Sequence, residues 1–448
     1  MFEIKINDFF YDEKKYIIET IFLDFIGTDK FKIITSSSFK DYTITHSSDP
    51  NKKIILKDDF FLNIKSNNYL DKRNLPDGYS TIEHNGENIA FPYGNSKISF
   101  DLNSIMCGAD LFASAFFMLT RWEEVVEESK DIYGRFPEEM SWAIKHGLIM
   151  RPLVNEYVSF LMMMMNDLKL PLVFDEKRVF TPIISHDIDN IARYDSPKKI
   201  ISALCGDIIL RKSLKSLFNS ITDIIKIKLK IKKDNYDTFD FLMNLSDSID
   251  VKSRFYFIPG LLGEFDVRYN YNSEKVIKKY KKILKRKHII GIHPSYNSFL
   301  NYEILKKEKE RIENIVGQDI KEGRQHYLRF QVPDTWQQWD DLGIEHDSTL
   351  GFENYIGFRT GSCYSYTVFN VKTKKKLKLR EETLNVMDVA LINISPSLEK
   401  QFYLVNEIVS QVKKYNGDFN LLWHNNNFFH HAWLKYVPLY KGIINSLK

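Results

Sequence analysis

The sequence has little cysteine: Cys107, Cys205 and Cys363 are the only three among its 448 residues. Three widely spaced cysteines do not fit a disulfide framework, and none has the spacing of a thiolate metal site. The formal net charge is only +4, which gives no reason to expect nucleic acid as a partner. The N-terminal stretch MFEIKINDFFYDEKKYIIE has acidic residues throughout and no long apolar run, so it predicts neither a signal peptide nor a membrane span. These absences together predict a cytoplasmic protein.

The composition is that of a globular protein, with 44% hydrophobic and 27% charged residues. The length is sufficient for two domains. Residues 1–150 alternate short β-branched runs with polar turns and then carry a helical block at 110–128, which predicts a smaller N-terminal α/β domain. Residues 151–178 are predicted as a linker and helix. Residues 179–448 form the second predicted domain.

The second domain alternates predicted strands with predicted helices, a pattern typical of parallel strands joined by crossover helices. The predicted strands are 179–187, 254–260, 288–294, 324–330, 343–349 and 419–425, and the predicted helices are 273–287, 301–317, 334–343 and 397–417. This number of strands favours a closed or nearly closed (β/α) barrel. An open doubly wound sheet is the competing architecture.

Residues 197–233 interrupt this alternation. They are apolar on one helical face and rich in lysine elsewhere, with few acidic residues. One interpretation is a solvated helical insertion. The other is an amphipathic element that contacts anionic lipid, or a lipid-linked substrate, at the inner face of the membrane.

Polar side chains follow the apolar part of four predicted strands. They are Asp187 and Asp189 in TPIISHDIDN, His293, His346 with Asp347, and His424. Because parallel strands end at one edge of a sheet, we expect these groups to meet there. Singly, Asp187 or Asp189 could cap a helix and Asp347 could form a turn. Together they predict a divalent metal with an open water position, one aspartate binding the metal and the other taking a proton.

At this point the sequence resembles the polysaccharide deacetylases with a NodB homology domain, carbohydrate esterase family 4. It is most similar to a bacterial surface-polysaccharide branch with an extra N-terminal domain. The resemblance is carried, in chain order, by DLFASAFFMLTRWEE, GRFPEEMS, SHDIDN, DTFDFLMNLSD, GIHPSYNS, RQHYLRF, HDSTLGF, GFRTGSC and LLWHNNNF. It implies a distorted (β/α) barrel that removes an acetyl group from an N-acetylated glycan with zinc or a similar divalent metal.

The resemblance also implies roles for individual residues. Asp187 would be the catalytic base, His424 the acid, and Asp189 and His293 metal ligands. The arginine that orients the base would be Arg324 or Arg329.

Two positions depart from the family pattern. Ile188 separates aspartates that are usually adjacent, so either is a candidate for the base. Asn297 stands where the family has a second metal-binding histidine. Asn297, His326 or His186 could complete the metal site, although an amide oxygen is a weaker zinc ligand than imidazole.

The candidates for contacting or orienting the substrate are Arg324, His326, Arg329, Asp347 and Arg359. Arg359 lies in the glycine-flanked stretch GFRTG and could bind an anionic group. Its alternative is an exposed loop arginine.

Two other functions compete with deacetylation. A glycosyltransferase could use Asp187 and Asp189 as a metal-nucleotide clamp, although this leaves His293 and His424 without a role. A catalytically inactive glycan-binding relative would account for Asn297.

Overall fold

The computed structural model of the protein describes residues 1–64, 68–171, 178–260, 265 and 269–448. These residues form two compact units, each assembled from several segments. Unit 1 comprises Met1–Thr181, Leu328–Asn385 and Ser410–Phe419, and unit 2 comprises Pro182–Tyr327, Val386–Val409 and Asn420–Lys448. The first segment of unit 1 ends at Thr181, near the boundary predicted at residue 179, and two later segments also belong to unit 1. The predicted domain division stays a prediction. Residues 172–177 of the predicted linker lie outside the described residues.

The first part of unit 1 contains eight strands and five helices among the residues described. The strands are β1 (Phe2–Ile6), β2 (Phe31–Thr35), β3 (Tyr42–His46), β4 (Asp49–Leu56), β5 (Ser80–His84), β6 (Glu87–Phe91), β7 (Gly94–Asp101) and β8 (Ser104–Ala109). The helices are α1 (Tyr11–Glu19), which continues as a π-helix over Thr20–Ile26, α2 (Leu111–Thr120), α3 (Trp122–Val126), α4 (Trp142–Lys145) and α5 (Leu153–Asp167). Six strands form a mixed sheet in the order β2-β1-β3-β4-β8-β7, and β5 pairs with β6. This part of the chain therefore contains both strands and helices, and a separate N-terminal domain stays a prediction.

The helical block at 110–128 is two helices rather than one. Asp110 caps α2 by accepting a hydrogen bond from the Ala113 amide at 3.0 Å, and every residue of α2 is buried. Arg121 then adopts a left-handed backbone conformation with φ 51°, which ends the first helix before α3 begins. The apolar spacing predicted the buried face but not this break.

The rest of the chain adds nine strands and nine helices within the described ranges. The strands are β9 (Thr181–Ile188), β10 (Arg254–Phe257), β11 (Ile289–Ile292), β12 (Glu322–Gly323), β13 (His346–Asp347), β14 (Tyr366–Asn370), β15 (Lys375–Glu381), β16 (Val386–Met387) and β17 (Asp418–Leu422). The helices are α6 (Pro197–Ile209), α7 (Leu214–Lys228), α8 (Phe239–Asp247), α9 (Glu274–Lys285), α10 (Tyr302–Val316), α11 (Asp334–Asp341), α12 (Asp388–Ile394), α13 (Leu398–Lys414) and α14 (Val437–Ser446).

Unit 2 is built on a row of strands in the order β12-β11-β10-β9-β17-β16. β10 pairs in parallel with both β9 and β11, β11 with β12, and β16 with β17. In unit 1, β13 pairs in parallel with β15 and β14 pairs antiparallel with β15. A mixed α/β fold with parallel strands is confirmed, and closure into a barrel stays a prediction.

The strand predicted over 324–330 is wrong. Only Glu322 and Gly323 form β12, and a short 3₁₀ turn follows at His326–Leu328. Tyr327 and Leu328 have φ angles of 59° and 51°. A strand requires negative φ at every such residue, so this left-handed pair ends the extended backbone.

Gly291 on β11 leaves space for a large aromatic ring on the neighbouring strand of unit 2. A Cβ atom at this position would lie 2.5 Å from Cδ1 of Tyr256 on β10 and 2.6 Å from the Glu322 carbonyl oxygen on β12. Both distances are too short for any side chain. Glycine therefore makes room for the Tyr256 ring, which lies 5.2 Å from the Arg324 guanidinium.

No helix in the described part of the chain is both long and apolar enough to cross a membrane.

Candidate metal and acid–base site

Strands of unit 2 deliver polar side chains to one edge of their sheet. Asp187 is near the end of β9 and Asp189 directly follows it, while His293 directly follows β11. Arg324 follows β12, and Asp388 follows β16. Because the paired strands are parallel, their carboxyl ends lie at the same edge. The strand-end argument made from the sequence therefore applies to these residues.

Asp189, His293 and His326 form a cluster whose ligand atoms all lie within 4.8 Å of one another. Asp189 Oδ1 is 3.7 Å from His293 Nε2 and 3.9 Å from His326 Nε2. The same Oδ1 is buried and accepts no hydrogen bond from the described part of the chain. Burying a carboxylate oxygen without a hydrogen-bond donor costs free energy unless a cation binds to it.

The buried His293 ring is oriented for binding through Nε2. Its Nδ1–H donates to the Arg324 carbonyl oxygen at 2.6 Å, which leaves Nε2 with a free lone pair toward Asp189. Burial lowers the pKa of His293, opposed by the Asp187 carboxylate. Burial outweighs the carboxylate, so the net shift favours the neutral imidazole that a metal requires.

Asp187 is held by Arg324. Arg324 Nη1 donates to Asp187 Oδ1 at 2.8 Å, and Nη2 donates to Ser185 Oγ at 2.9 Å. Both charged side chains are almost completely buried. Burial alone would raise the pKa of Asp187. His293 and Arg324 lower that pKa by more than burial raises it, so it lies below the ordinary value. Asp187 is therefore an ionised, oriented carboxylate.

His424 is paired with Asp388. His424 Nδ1–H donates to Asp388 Oδ1 at 2.8 Å, and His424 Nε2 lies 4.0 Å from Asp189 Oδ2. The Asp388 carboxylate also accepts hydrogen bonds from the backbone amides of His424 and Val389 and from the side chain of Asn427. Burial lowers the pKa of His424, but Asp388 outweighs it and raises that pKa to about 10. His424 therefore carries a proton at neutral pH.

Two other candidates for completing the metal site, His186 and Asn297, also belong to unit 2. His186 points away from the cluster, since its Nδ1–H donates to the Trp423 carbonyl oxygen at 2.8 Å and its ring packs against Phe255 and Tyr440. Asn297 lies in the short turn Tyr296–Ser298 with an exposed side chain. His326 is the candidate that lies beside Asp189, and the assignment of Asn297 stays a prediction.

Three further predicted site residues belong to unit 1, namely Arg329, Asp347 and Arg359. Arg329 Nε donates to the Tyr133 carbonyl oxygen at 2.8 Å. Asp347 Oδ1 accepts the Thr349 amide at 3.1 Å, which is the turn given as its alternative. Their predicted roles toward a substrate have no support from these contacts and stay predictions.

Arg359 makes a buried network instead of lying exposed in a loop. It donates to both carboxylate oxygens of Glu124, at 3.0 and 2.7 Å, and to the Gly351 carbonyl oxygen. Only 4% of the residue is exposed. The alternative of an exposed loop arginine is therefore wrong, and contact with an anionic substrate stays a prediction.

The sequence reasoning missed Asp388 and Ser185. Asp388 follows β16, whose two residues are too few to show a strand pattern, although the order Val-Met-Asp repeats the apolar-then-acidic arrangement of β9. Ser185 precedes the histidine of TPIISHDIDN and lies two residues before Asp187. Since alternate residues of a strand share a face, Ser185 could have been assigned to the side of Asp187.

Comparisons with known proteins give one family match and a small number of distant structures. Residues 3–170 match the model of a family of unknown function, DUF7033. A comparison with curated proteins finds no match.

Two solved structures are similar to parts of the chain. One is a Mycobacterium smegmatis protein assigned as a polysaccharide deacetylase, with 13% identity and a TM-score of 0.37, covering 62% of this chain and 86% of that one. The other is a mutant of a CE4-family pseudoenzyme with restored enzymatic activity, with 12% identity and a TM-score of 0.29, covering 48% of this chain and 58% of that one. TM-scores this low do not establish a common fold or activity.

Proposed function

We propose that unit 2 catalyses metal-dependent N-deacetylation of an N-acetylated sugar in a cell-surface polysaccharide or its precursor. The observation that carries the proposal is the meeting, at one strand edge, of a three-residue ligand cluster, an ionised carboxylate and a protonated histidine. Metal-assisted hydrolysis of an amide uses these three functions: a Lewis acid, a base for water and an acid for the departing amine. The sequence resemblance to the NodB homology deacetylases is consistent with this proposed function.

The residues present fit a divalent cation of the zinc type, with two imidazole nitrogens and one carboxylate oxygen as donors. Asp189, His293 and His326 would hold it. Zinc bonds to such donors measure about 2.0–2.2 Å, and the observed donor separations need only small side-chain movements to meet one ion. When bound, the ion would polarise the acetamide carbonyl and favour deprotonation of a nearby water molecule.

Asp187 is proposed as the base rather than a ligand. Arg324, which also donates to Ser185, fixes its carboxylate through the contacts described above, and its lowered pKa keeps it ionised. Asp187 would take one proton from water as the water oxygen attacks the acetamide carbon. This division of roles between the two aspartates follows from their different partners: Asp187 is paired with the Arg324 guanidinium, whereas Asp189 Oδ1 accepts no hydrogen bond from the residues that the structure describes.

His424 is proposed as the acid. Its Nδ1 is occupied by Asp388, so the proton on Nε2 is the one available for transfer. His424 Nε2 would donate this proton to the amine nitrogen as the carbon–nitrogen bond breaks. The products are acetate and an amino sugar, and the proton taken by Asp187 restores His424.

A glycosyltransferase would need Asp187 and Asp189 as a shared nucleotide clamp. The pairing of Asp187 with Arg324 gives no support to that use, and the His424–Asp388 pair has no role in it. An inactive glycan-binding relative would keep the fold without binding the metal. Assays of acetate release and of Zn²⁺ binding distinguish it from an enzyme.

The experiment is an assay of acetate release from N-acetylhexosamine oligomers, without any sugar nucleotide, in the presence of Zn²⁺. We expect release by the wild-type protein and none by Asp187→Asn or His424→Gln. Lys278→Met, on the exposed surface of α9, is the control and should behave as wild type. Acetate release that is unchanged in Asp187→Asn, or none with any divalent ion tested, would overturn the proposal.

A further inference from the structure

Residues 197–231 form two helices that pack together as a hairpin. Ser196 caps α6 by accepting a hydrogen bond from the Lys199 amide, and Ser213 caps α7 in the same way through the Ser216 amide. At the base of the hairpin, the Asp234 carboxylate accepts hydrogen bonds from the amides of Arg193 and Tyr194 at 2.7 and 3.0 Å. The segment that interrupted the strand–helix alternation is therefore a defined structural element.

The hairpin has its polar groups inside. Asp207 is the buried residue of α6, and Ser220 and Ile224 are those of α7. Asp207 accepts hydrogen bonds from Ser220 Oγ and from Arg211 Nε, each at 2.6 Å, and lies 3.2 Å from His431 Nε2. A buried carboxylate joining two helices is the reverse of the usual arrangement, in which apolar side chains fill the contact.

Most of the large apolar side chains of the hairpin face outward instead. Leu214 is 82% exposed and Phe218 70% exposed. The exposed apolar residues are Ile201, Ile208, Ile209, Leu210, Leu214, Phe218, Ile221, Ile225, Leu229 and Ile231. On α7 they recur every three or four residues, so they form one continuous stripe along the helix. Contiguous exposed apolar surface of this kind marks an interaction site.

Unpaired positive charge borders the stripe. Residues 197–233 contain ten lysine and arginine residues and two aspartates. Lys212, Lys215, Lys226, Lys228 and Lys230 are exposed, and none has a carboxylate partner within the ranges that the structure describes. Lys215 and Lys226 directly follow the stripe residues Leu214 and Ile225, which places their side chains at its edge.

We propose that this hairpin docks on the surface of an anionic lipid bilayer. The apolar stripe would enter the boundary between headgroups and acyl chains, and the lysines would contact the acidic headgroups. At 13 and 15 residues, the helices are too short to cross a bilayer and would lie in its plane. An anionic membrane fits better than a second copy of the chain because two such copies would bring their lysines together. The proposal does not depend on the proposed enzymatic function.

The experiment is co-sedimentation of the full-length protein with vesicles of phosphatidylcholine alone and of phosphatidylcholine mixed with phosphatidylglycerol. We expect binding to the mixed vesicles and a loss of binding as salt is raised. The combined Leu214→Ser, Phe218→Ser, Ile225→Ser variant should bind roughly tenfold or more weakly. Removing Lys226, Lys228 and Lys230 by alanine substitution should weaken binding about fivefold for each lysine.

Controls outside the hairpin carry the same chemical changes. Leu102→Ser with Ile132→Ser removes exposed apolar side chains of unit 1, and Lys281→Ala with Lys285→Ala removes charge from α9. These variants should bind as wild type.

Three results would overturn the proposal. One is no binding to the phosphatidylglycerol vesicles at low salt. The second is binding that the serine and alanine variants of the hairpin leave unchanged. The third is a serine variant that changes the protein from dimer to monomer in sedimentation velocity, which would show that a second copy covers the stripe.

Discussion

The buried pair of Arg324 and Asp187 gives a prediction whose magnitude follows from the structure. Asp187 is 2% exposed and the Arg324 side chain 0%, with 2.8 Å between Nη1 and Oδ1. Arg324→Met would leave a buried carboxylate without its cation. Breaking one partner of such a pair costs about 3–5 kcal/mol, because the remaining charge stays desolvated. We expect Asp187→Asn to be destabilising for the same reason, with the guanidinium left unpaired.

The double variant should cost much less than the sum of the two single changes. With both charges gone, no buried charge remains uncompensated, so the coupling energy should exceed about 2 kcal/mol. The measurement is hydrogen exchange by mass spectrometry on peptides of β9 and β11 over a urea series, which reports on unit 2 alone. The exposed pair Glu274–Lys278, at 82% and 71% side-chain exposure, is the matched control and should show a coupling of no more than about 0.5 kcal/mol. Additive costs at Asp187 and Arg324 would refute the reasoning.

Three further predictions concern other parts of the site. Asp388→Asn should lower kcat about a hundredfold, as expected when the histidine acid loses its positioning partner, and should leave KM little changed; an equal loss through KM would contradict that role. Burial lowers the pKa of His186 to about 4, so below pH 6.5 the unfolded state takes up a proton that the folded state does not. The free energy of unfolding should therefore fall by about 3 kcal/mol between pH 6.5 and 4. His186→Gln should flatten this pH dependence in urea titrations, and an unchanged slope would show that His186 does not cause it. Asn297→Ala should bind Zn²⁺ as tightly as wild type in a chelator competition, whereas a tenfold loss would make Asn297 a ligand.

Much of the site could be predicted because the strands have a simple sequence pattern. Asp187, His293 and His424 each follow an apolar run, and parallel strands bring such ends together. The helices α9, α10 and α13 were predictable from their apolar spacing. These are local signals, and they need no knowledge of distant contacts.

The placement of His326 could not be predicted in the same way. RQHYLRF was predicted as a strand, whereas Tyr327 and Leu328 adopt a left-handed backbone. Non-glycine residues in that conformation are held there by surrounding contacts at a cost of order 1 kcal/mol each. Sequence pattern carries no record of those contacts.

The unit boundaries were unpredictable for a related reason. Residues 328–385 continue the strand–helix pattern of the preceding segment, yet they belong to unit 1. Which unit a segment joins depends on long-range packing rather than on its own periodicity. Asp388 was not predicted because it follows β16, and a strand of two residues has no detectable sequence pattern.

The most direct test of the central claim is equilibrium binding of Zn²⁺ to the purified protein, followed by competition with a chromophoric chelator. The account predicts one ion per chain for the wild type, and a loss of at least about tenfold in affinity for each of Asp189→Asn, His293→Gln and His326→Gln. No stoichiometric binding by the wild type, or undiminished binding by all three variants, would contradict it.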